Sequence, residues 1–481
     1  MTEIRFGTDG WRAIIAEDFT FANVRAVARA VVAMLREDGT AGRGLVVGYD
    51  TRFSSDRFAQ AVAEVAAAEG VHVTLGTSFA PTPAVSLGVI ERRAAGGVVI
   101  TSSHNPAEWN GFKYKPDYGG SASPEVVARI EQGTPRWQAA PVPTVPLDEA
   151  RRRGLIESAD LCEAYLRALT RQVDADAIRD AGLRVALDSM YGAGQGLLRA
   201  FLGQDSATTV DELHAEHNPR FPGLHAPEPI ARNLGEVQAA MRAAAEAGRP
   251  YRLGLATDGD ADRLGVMDSD GTFVTQLQVF ALLAYYLLEL RGLRGPIVRS
   301  VTTTRMVDRL GERYGVPVHA TPVGFKYLGP RMMEVHAILA GEESGGYGFA
   351  GHIPERDGLL AGLFILDLVR RTGAAPGELV RHLYSIVGPH HYDRVDVPLQ
   401  AVGGRTTVES RIRDAAPARI AGLDVRSRTT EDGYLYELDG DAWLLVRFSG
   451  TEPLMRIYAE MPSPALVERA LAEGRALAGV P

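Results

Sequence analysis

The chain has one cysteine, Cys162. That excludes an internal disulfide framework and argues against a cysteine-based metal site. Positive charge is not in excess either: 51 basic against 60 acidic residues give a formal net charge of -9, with no general field to hold a phosphodiester backbone, so no nucleic-acid partner is expected. Long apolar runs are absent. The longest, Val279 to Leu288, is too short to span a bilayer and reads as a buried helix, and no apolar run follows Met1 to Arg5. A cytoplasmic protein with no membrane partner is expected. Walker A, paired zinc-ligand and nucleophile-elbow patterns are missing too. Lysine is nearly absent: Lys113, Lys115 and Lys326 are the only three among the 51 basic residues. A compositional bias of the source accounts for this, yet each surviving lysine also marks a place where a titratable amine can do what a guanidinium cannot.

What is present is ordinary globular material of some size. The 481 residues are 46% hydrophobic and 23% charged, enough for roughly three domains at about 150 residues each. Helix-period stretches such as Val24 to Arg36 alternate with β-branched runs such as Leu45 to Tyr49 and Val98 to Thr101, which is βαβ grammar. The proline-rich segment Ala139 to Pro146 reads as a linker and sets a boundary near residue 150. A second α/β block carries strands Arg184 to Ser189 and Arg252 to Thr257 around a helix at Leu234 to Ala247. A third starts with the helix Leu277 to Leu290, continues through strands Ile297 to Val301 and Val316 to Ala320, and closes on the helix Gly358 to Arg371. After Gly388 strands dominate, with a hairpin at Gly433 to Leu438 and Trp443 to Phe448 and a terminal helix Pro464 to Leu477. The expected architecture is α/β: three tandem units over 1–150, 151–270 and 271–388, then a smaller α+β unit over 389–481.

Ligands in open α/β sheets bind at loops that follow strand C-termini, and four such loops have chemical content. Thr101-Ser102-Ser103-His104-Asn105-Pro106 clusters hydroxyls with a histidine, suited to a phosphorylatable serine and equally to a helix cap or turn. Close downstream, Lys113 is a candidate proton-transfer group, provided that its pKa is depressed. Asp258-Gly259-Asp260-Ala261-Asp262-Arg263 sets three carboxylates at alternate positions, hard oxygen ligands for a divalent cation such as Mg²⁺. It is not an EF-hand, because Arg263 and Ser269 occupy the sixth and twelfth positions where glycine and glutamate are required. A solvated acidic turn is the bland alternative, but such close carboxylates repel unless a cation or Arg263 compensates. Gly341 to Phe349 offers Glu342, Glu343 and Ser344 to sugar hydroxyls, or is a turn without a ligand. Arg447 to Pro453 joins a guanidinium to two hydroxyls and a glycine, the makings of a phosphate cradle or an ordinary hairpin turn.

With Phe6-Gly7-Thr8-Asp9-Gly10-Trp11-Arg12 placed before them, these loops, in this order and over nearly the whole chain, resemble the α-D-phosphohexomutase superfamily of phosphoglucomutases and phosphomannomutases. The resemblance implies three related α/β domains and a smaller fourth around a central cleft, each lending one loop. It implies that Ser103 carries a phosphoryl group passed to a hexose phosphate through a hexose 1,6-bisphosphate, glucose 1,6-bisphosphate serving as activator. Mg²⁺ would be held by Asp258, Asp260 and Asp262 together with phosphorylated Ser103. Lys113 matches the general base, with Arg12 and His104 beside it. Arg263, Gly324, Lys326, Glu342 and Ser344 match substrate contacts, and Arg447, Ser449, Gly450 and Thr451 the grip on the non-reacting phosphate. The substrate implied is a hexose phosphate and the assembly a monomer or homodimer.

The chain departs from this pattern at three places. Gly346 stands where many phosphomannomutase and phosphoglucosamine mutase sequences have histidine, Glu343 beside Glu342 resembles the glucose-preferring branch, and Ser102 replaces the commoner alanine. Phosphoglucomutase therefore ranks first, then phosphomannomutase or dual specificity, then phosphoglucosamine mutase. Outside this class stand a Mg²⁺-dependent phosphatase and a sugar-phosphate binding protein without chemistry. Cys162, His214, His217, His390 and His391 read as packing residues, since none has a partner at metal-ligand spacing.

Overall fold

A computed structural model of the chain describes residues 3–402, 404–448 and 454–480. Helices form where the sequence supplies both a cap and an apolar face. Thr20 accepts from Asn23 N at the start of Phe21–Glu37, whose Val24, Val27, Val31 and Leu35 are buried at helical spacing. The apolar helix begins at a Thr275/Gln278 capping box, runs as Gln276–Tyr285, and changes to a π-helical turn over Tyr286–Leu290, where the Tyr286 hydroxyl donates to Asp367.

Strands assemble into four sheets. The first runs Trp11–Ile14, Trp109–Pro116, Gly96–Ile100, Leu45–Tyr49, Val73–Gly76, Ile156–Ala159, its last four strands parallel. It takes in a strand beyond residue 150. The second runs Phe273–Val274, Leu264–Met267, Leu253–Thr257, Arg184–Asp188, Thr209–Leu213, and the third Val318–Thr321, Ile297–Ser300, Leu339–Gly341, Tyr347–Phe349. The fourth sheet, from His391–Pro398 through Leu454–Met461 to Arg419–Ile420, is antiparallel throughout. Three tandem α/β units and a smaller C-terminal α+β unit are therefore present.

A common device places the loops. In each of the first three sheets a parallel strand is followed by a short loop and then by a strand returning antiparallel beside it: Gly96–Ile100 to Trp109–Pro116, Leu253–Thr257 to Leu264–Met267, and Leu339–Gly341 to Tyr347–Phe349. The serine, acidic and glycine-rich loops are those three connections.

One apolar core, including Val85, Leu161, Leu187, Leu255, Phe280, Leu339 and Leu360, runs through all three α/β units, while the fourth unit closes its own around Leu444, Val446, Met455 and Ile457. Among the described residues no helix is long and apolar enough to cross a membrane. Cys162 sits in the helix Leu161–Leu169 with its thiol 3.7 Å from the Phe79 carbonyl, and burial, with Asp160 adding to it, pushes the thiol up to about 12. Almost no thiolate exists at neutral pH, so the folded protein should react with an aromatic disulfide reagent at least about tenfold more slowly than the chain in denaturant; equal rates would contradict the packing.

Candidate active site

The acidic loop leaves a strand buried along its whole length, and Ala261, at φ +54°, turns it back on itself. Asp258 anchors the turn: its Oδ1 accepts from the backbone N–H of Asp262 (3.0 Å) and Arg263 (3.1 Å). Asp258, Asp260 and Asp262 are each fully buried, and a carboxylate oxygen from each lies within 4.8 Å of the others. Among the described residues, Asp260 Oδ1 and Asp262 Oδ1 have no hydrogen-bond partner. Buried acceptors left unpaired are costly, and a cluster of hard oxygens of this kind fits a divalent cation. Burial, then repulsion from Asp262 and Asp260, drives the Asp258 carboxyl well above the usual carboxylate range.

The charge that partly balances the loop comes from a neighbouring strand. Lys113 Nζ lies 2.7 Å from Asp260, 3.2 Å from Asp262 and 2.8 Å from Asp9. Arg263, which the sequence offers as the compensating group, stands farther off at 3.8–3.9 Å from Asp262 and Asp258. Burial opposes the lysine charge, but the three carboxylates overcome it and raise the ammonium above its ordinary value; Asp260, in turn, is pulled down despite its burial. The depressed amine pKa asked of Lys113 as a general base is thus not found. A desolvated lysine loses its proton only when opposite charges are distant, and here they touch it.

The serine loop meets this cluster from the first sheet. Ser103, buried and at φ +51°, turns its Oγ to 2.8 Å from Asp258 Oδ2, while the buried Ser102 hydroxyl has no partner among the described residues. His104 Nδ1 is 3.4 Å from Ser103 Oγ, and burial together with Arg263, Arg12 and Lys113 holds the imidazole well below its usual range, neutral at physiological pH. Arg12 pairs in register with Gly111 and donates to Asn105 Oδ1 at 2.7 Å. Ser103, His104, Arg12, Lys113, the three aspartates and Arg263 therefore share one locus.

The glycine-rich loop closes the other side. Arg263 bridges Gly346 through the backbone and Leu264 N donates to Gly345 O at 2.9 Å, so the acidic and sugar-loop candidates are stitched together. Gly345, at φ +88°, could carry no Cβ without meeting Leu264 O at 2.7 Å. A Cβ on Gly346 would lie 2.3 Å from Arg356 Cδ: the space a histidine would need is filled by Arg356. That guanidinium reaches Asp9, Asp262 (3.0 Å), Glu355 (3.1 Å) and Glu342 (3.7 Å). Glu342 is buried, which raises its carboxyl pKa, and Ser344 Oγ is a buried hydroxyl without a partner among the described residues. Glu343 points elsewhere, accepting from Tyr392 (2.8 Å) and Arg394 (3.0 Å) of the fourth unit.

Gly324 caps the helix Phe325–Glu334 against Thr8, and Lys326 in its first turn has its pKa lowered by burial and by Arg447. Arg447 is held by Asp432 at 2.8 Å, and Asp432 also accepts from Val323 N. Lys326 and Arg447 are therefore close enough to repel each other, while Ser449, Gly450 and Thr451 lie outside the described residues.

Sequence reading missed several members. Asp9, Lys115, Glu355 and Arg356 form a buried ion network with Ser121, in which Lys115 Nζ is 2.6 Å from Glu355 and 3.3 Å from Asp9. Thr82 donates to Asp260, and Arg52 holds the backbone of the serine loop. The rarity of lysine marked Lys115; nothing distinguished Arg52 or Arg356 among so many arginines.

Models of four domains match this chain: phosphoglucomutase/phosphomannomutase alpha/beta/alpha domain I over residues 3–140, domain II over 163–271, domain III over 276–387 and the C-terminal domain over 408–476. A phosphoglucomutase/phosphomannomutase of Thermococcus kodakarensis is 30% identical, the alignment covering 95% of this chain and 94% of that one, and a phosphoglucosamine mutase of Frankia casuarinae is 33% identical over 97% and 96%. A crystal structure from Thermus thermophilus, provisionally named a phosphomannomutase, superposes with a TM-score of 0.85 at 37% identity over 99% of both chains. With matches in all four domains and in their order, the chain belongs to the phosphoglucomutase/phosphomannomutase family, the α-D-phosphohexomutases, and is an intramolecular phosphotransferase acting as an isomerase.

Proposed function

We propose that this enzyme interconverts hexose 1-phosphate and hexose 6-phosphate, with glucose the preferred hexose, through phosphorylated Ser103 and a hexose 1,6-bisphosphate. The observation that carries the reading is Ser103 Oγ, 2.8 Å from Asp258, at the edge of a buried carboxylate cluster with two unpartnered oxygens. Asp258, Asp260 and Asp262 would hold Mg²⁺, which neutralises oxyanion charge when bound. In the first half-reaction the P–O bond to Ser103 Oγ breaks as one forms to the free hydroxyl of the hexose phosphate; that hydroxyl gives up its proton and the departing Ser103 Oγ takes one up, so the serine ends as a neutral hydroxyl with no net proton released. After the bisphosphate reorients, its other phosphate returns to Ser103. Lys113 and Arg12 set fixed positive charge beside the serine loop, the kind of preorganised field that stabilises a transferring phosphoryl group. Glu342 and Ser344 offer an acceptor and an unpaired hydroxyl to the sugar, and Lys326 with Arg447 offers charge to the phosphate that does not react.

Preference for glucose is supported by the pairing of Gly346 with Arg356, since this loop has no room for the histidine found in other branches. Coupled assays with Mg²⁺ and glucose 1,6-bisphosphate should give a higher kcat/KM for glucose 1-phosphate than for mannose 1-phosphate or glucosamine 1-phosphate. A reversed order reassigns the sugar, and release of inorganic phosphate without isomerisation would replace the mutase by a phosphatase.

Ser103→Ala should lower kcat by about 10³-fold or more while leaving hexose phosphate binding measurable by calorimetry; turnover at the wild-type rate would remove Ser103 from the mechanism. Gly346→Ala should displace the pinned Arg356 and lower kcat/KM by about tenfold. The same loss in an Arg356→Ala background would show that the two positions are uncoupled.

A further inference from the structure

Arg52 lies in the loop after the strand Leu45–Tyr49, outside every group assigned above to substrate or metal. Its side chain is wholly buried and its four terminal N–H directions are all spent on one object. Nη1 donates to the carbonyls of Pro106 (2.7 Å) and Trp109 (3.0 Å), and Nη2 to those of Ser103 (2.7 Å) and Asn105 (2.5 Å). The carbonyls of the serine loop are thereby drawn to a single guanidinium. Only arginine has a planar fork able to do this; a lysine ammonium is a point charge with three donors.

The grip bears on the nucleophile itself. Ser103 occupies the left-handed region at φ +51°, which a residue other than glycine adopts only when its surroundings impose it. Arg52 fixes one end of that peptide by its carbonyl, Thr101 Oγ1 accepts from its N–H at 2.9 Å, and on the remaining side a Cβ on Gly259 would lie 2.4 Å from Ser103 O. With the backbone held at these points, the side chain is left aimed at Asp258. Arg52 is itself fixed from two directions. Asp50 lies 3.2 Å from Nε, and the guanidinium stacks 5.0 Å from the centroid of Phe221, a residue of the second unit. Next to it, Thr51 Oγ1 donates to Tyr191 O and the Thr51 carbonyl contacts His217 Nε2, both also in the second unit.

We infer that Arg52 is a positioning residue for phosphoryl transfer: it holds the Ser103 loop in the strained form that presents Oγ to the acidic loop, and ties that form to the docking of the first two units. The inference rests on Ser103 being the phosphoryl carrier. The Ser103 hydroxyl alternates between free and phosphorylated states, and a loop held by carbonyls to a fixed cation keeps one geometry in both.

The test is Arg52→Ala, assayed with glucose 1-phosphate and, separately, for incorporation of labelled phosphoryl from glucose 1,6-bisphosphate into the dephosphorylated protein. Expected are a fall in kcat of about 100-fold with KM changed by less than about threefold, and a matching fall in the rate of labelling. Guanidinium ion, added far below denaturing concentrations, should restore at least about tenfold of the loss, and methylammonium at the same concentration should not. If the alanine variant does not fold, Arg52→Lys, which keeps charge and most of the bulk, should fold and show the same kcat loss when assayed well below its own melting temperature. Wild-type kcat in either folded variant, a change in KM alone, or equal effects of the two cations would overturn the inference. Wild-type protein that takes up no label at Ser103 would instead overturn the Ser103 reading, which keeps the two failures apart.

Discussion

Buried negative charge in the first three units is the constraint around which the site is built. Asp9, Asp258, Asp260, Asp262, Glu342 and Glu355 are all removed from water within one locus. Lys113, Lys115, Arg263 and Arg356 are buried among them, and the carboxylates still outnumber these cations. Charges can be held in a low-dielectric interior only when paired at close range, and removal of one partner strands the other. The three α/β units cannot separate here without exposing or orphaning such pairs: Lys113 belongs to the first unit, Asp260 and Asp262 to the second, and Arg356 to the third.

The same constraint explains why backbone geometry is so restricted nearby. Three loops from three sheets must bring carboxylates, a serine and a glycine-rich turn to one point, and there is little room between their backbones. Gly259 faces Ser103 O, Gly345 faces Leu264 O, and Gly346 faces the Arg356 side chain, each closer than a Cβ allows. Glycine at these positions is a requirement of approach, while Ser103 and Ala261 carry positive φ without glycine's freedom.

Much of this was legible in the sequence because the loops are local and the strands before them are apolar. The α/β alternation, the acidic loop and the serine loop all follow from short-range pattern. The strand Trp109–Pro116 did not, since its alternation of Phe112 and Tyr114 with Lys113 and Lys115 resembles a half-exposed edge, whereas it is an inner strand buried nearly throughout. Period two puts both lysines on one face, and that face meets Asp9, Asp260 and Glu355 instead of solvent. Partners separated by more than 200 residues, such as Lys115 and Glu355, leave no local trace. Arg356 and Arg52 were hidden for another reason, composition: a residue type that is common everywhere carries no signal where it matters.

The fourth unit is joined to the rest on different terms. Its core is its own, and its links to the third unit are largely polar: Arg305 to Glu437 and Glu460, Glu343 to Tyr392 and Arg394, and Val323 N to Asp432, with Val301 packing on the cluster around Trp443. Parting a continuous apolar core loses about 25 cal/mol for every Å² exposed, and it is such a core that joins the first three units to one another. The chain therefore places the Ser103 loop and the acidic loop on the part held by the continuous core. Arg447 sits on the unit whose core is separate from theirs. The mechanism proposed above, in which a bisphosphate turns between two half-reactions, would use that division: a fixed locus for the transferring group and a separate one for the group that is held and released.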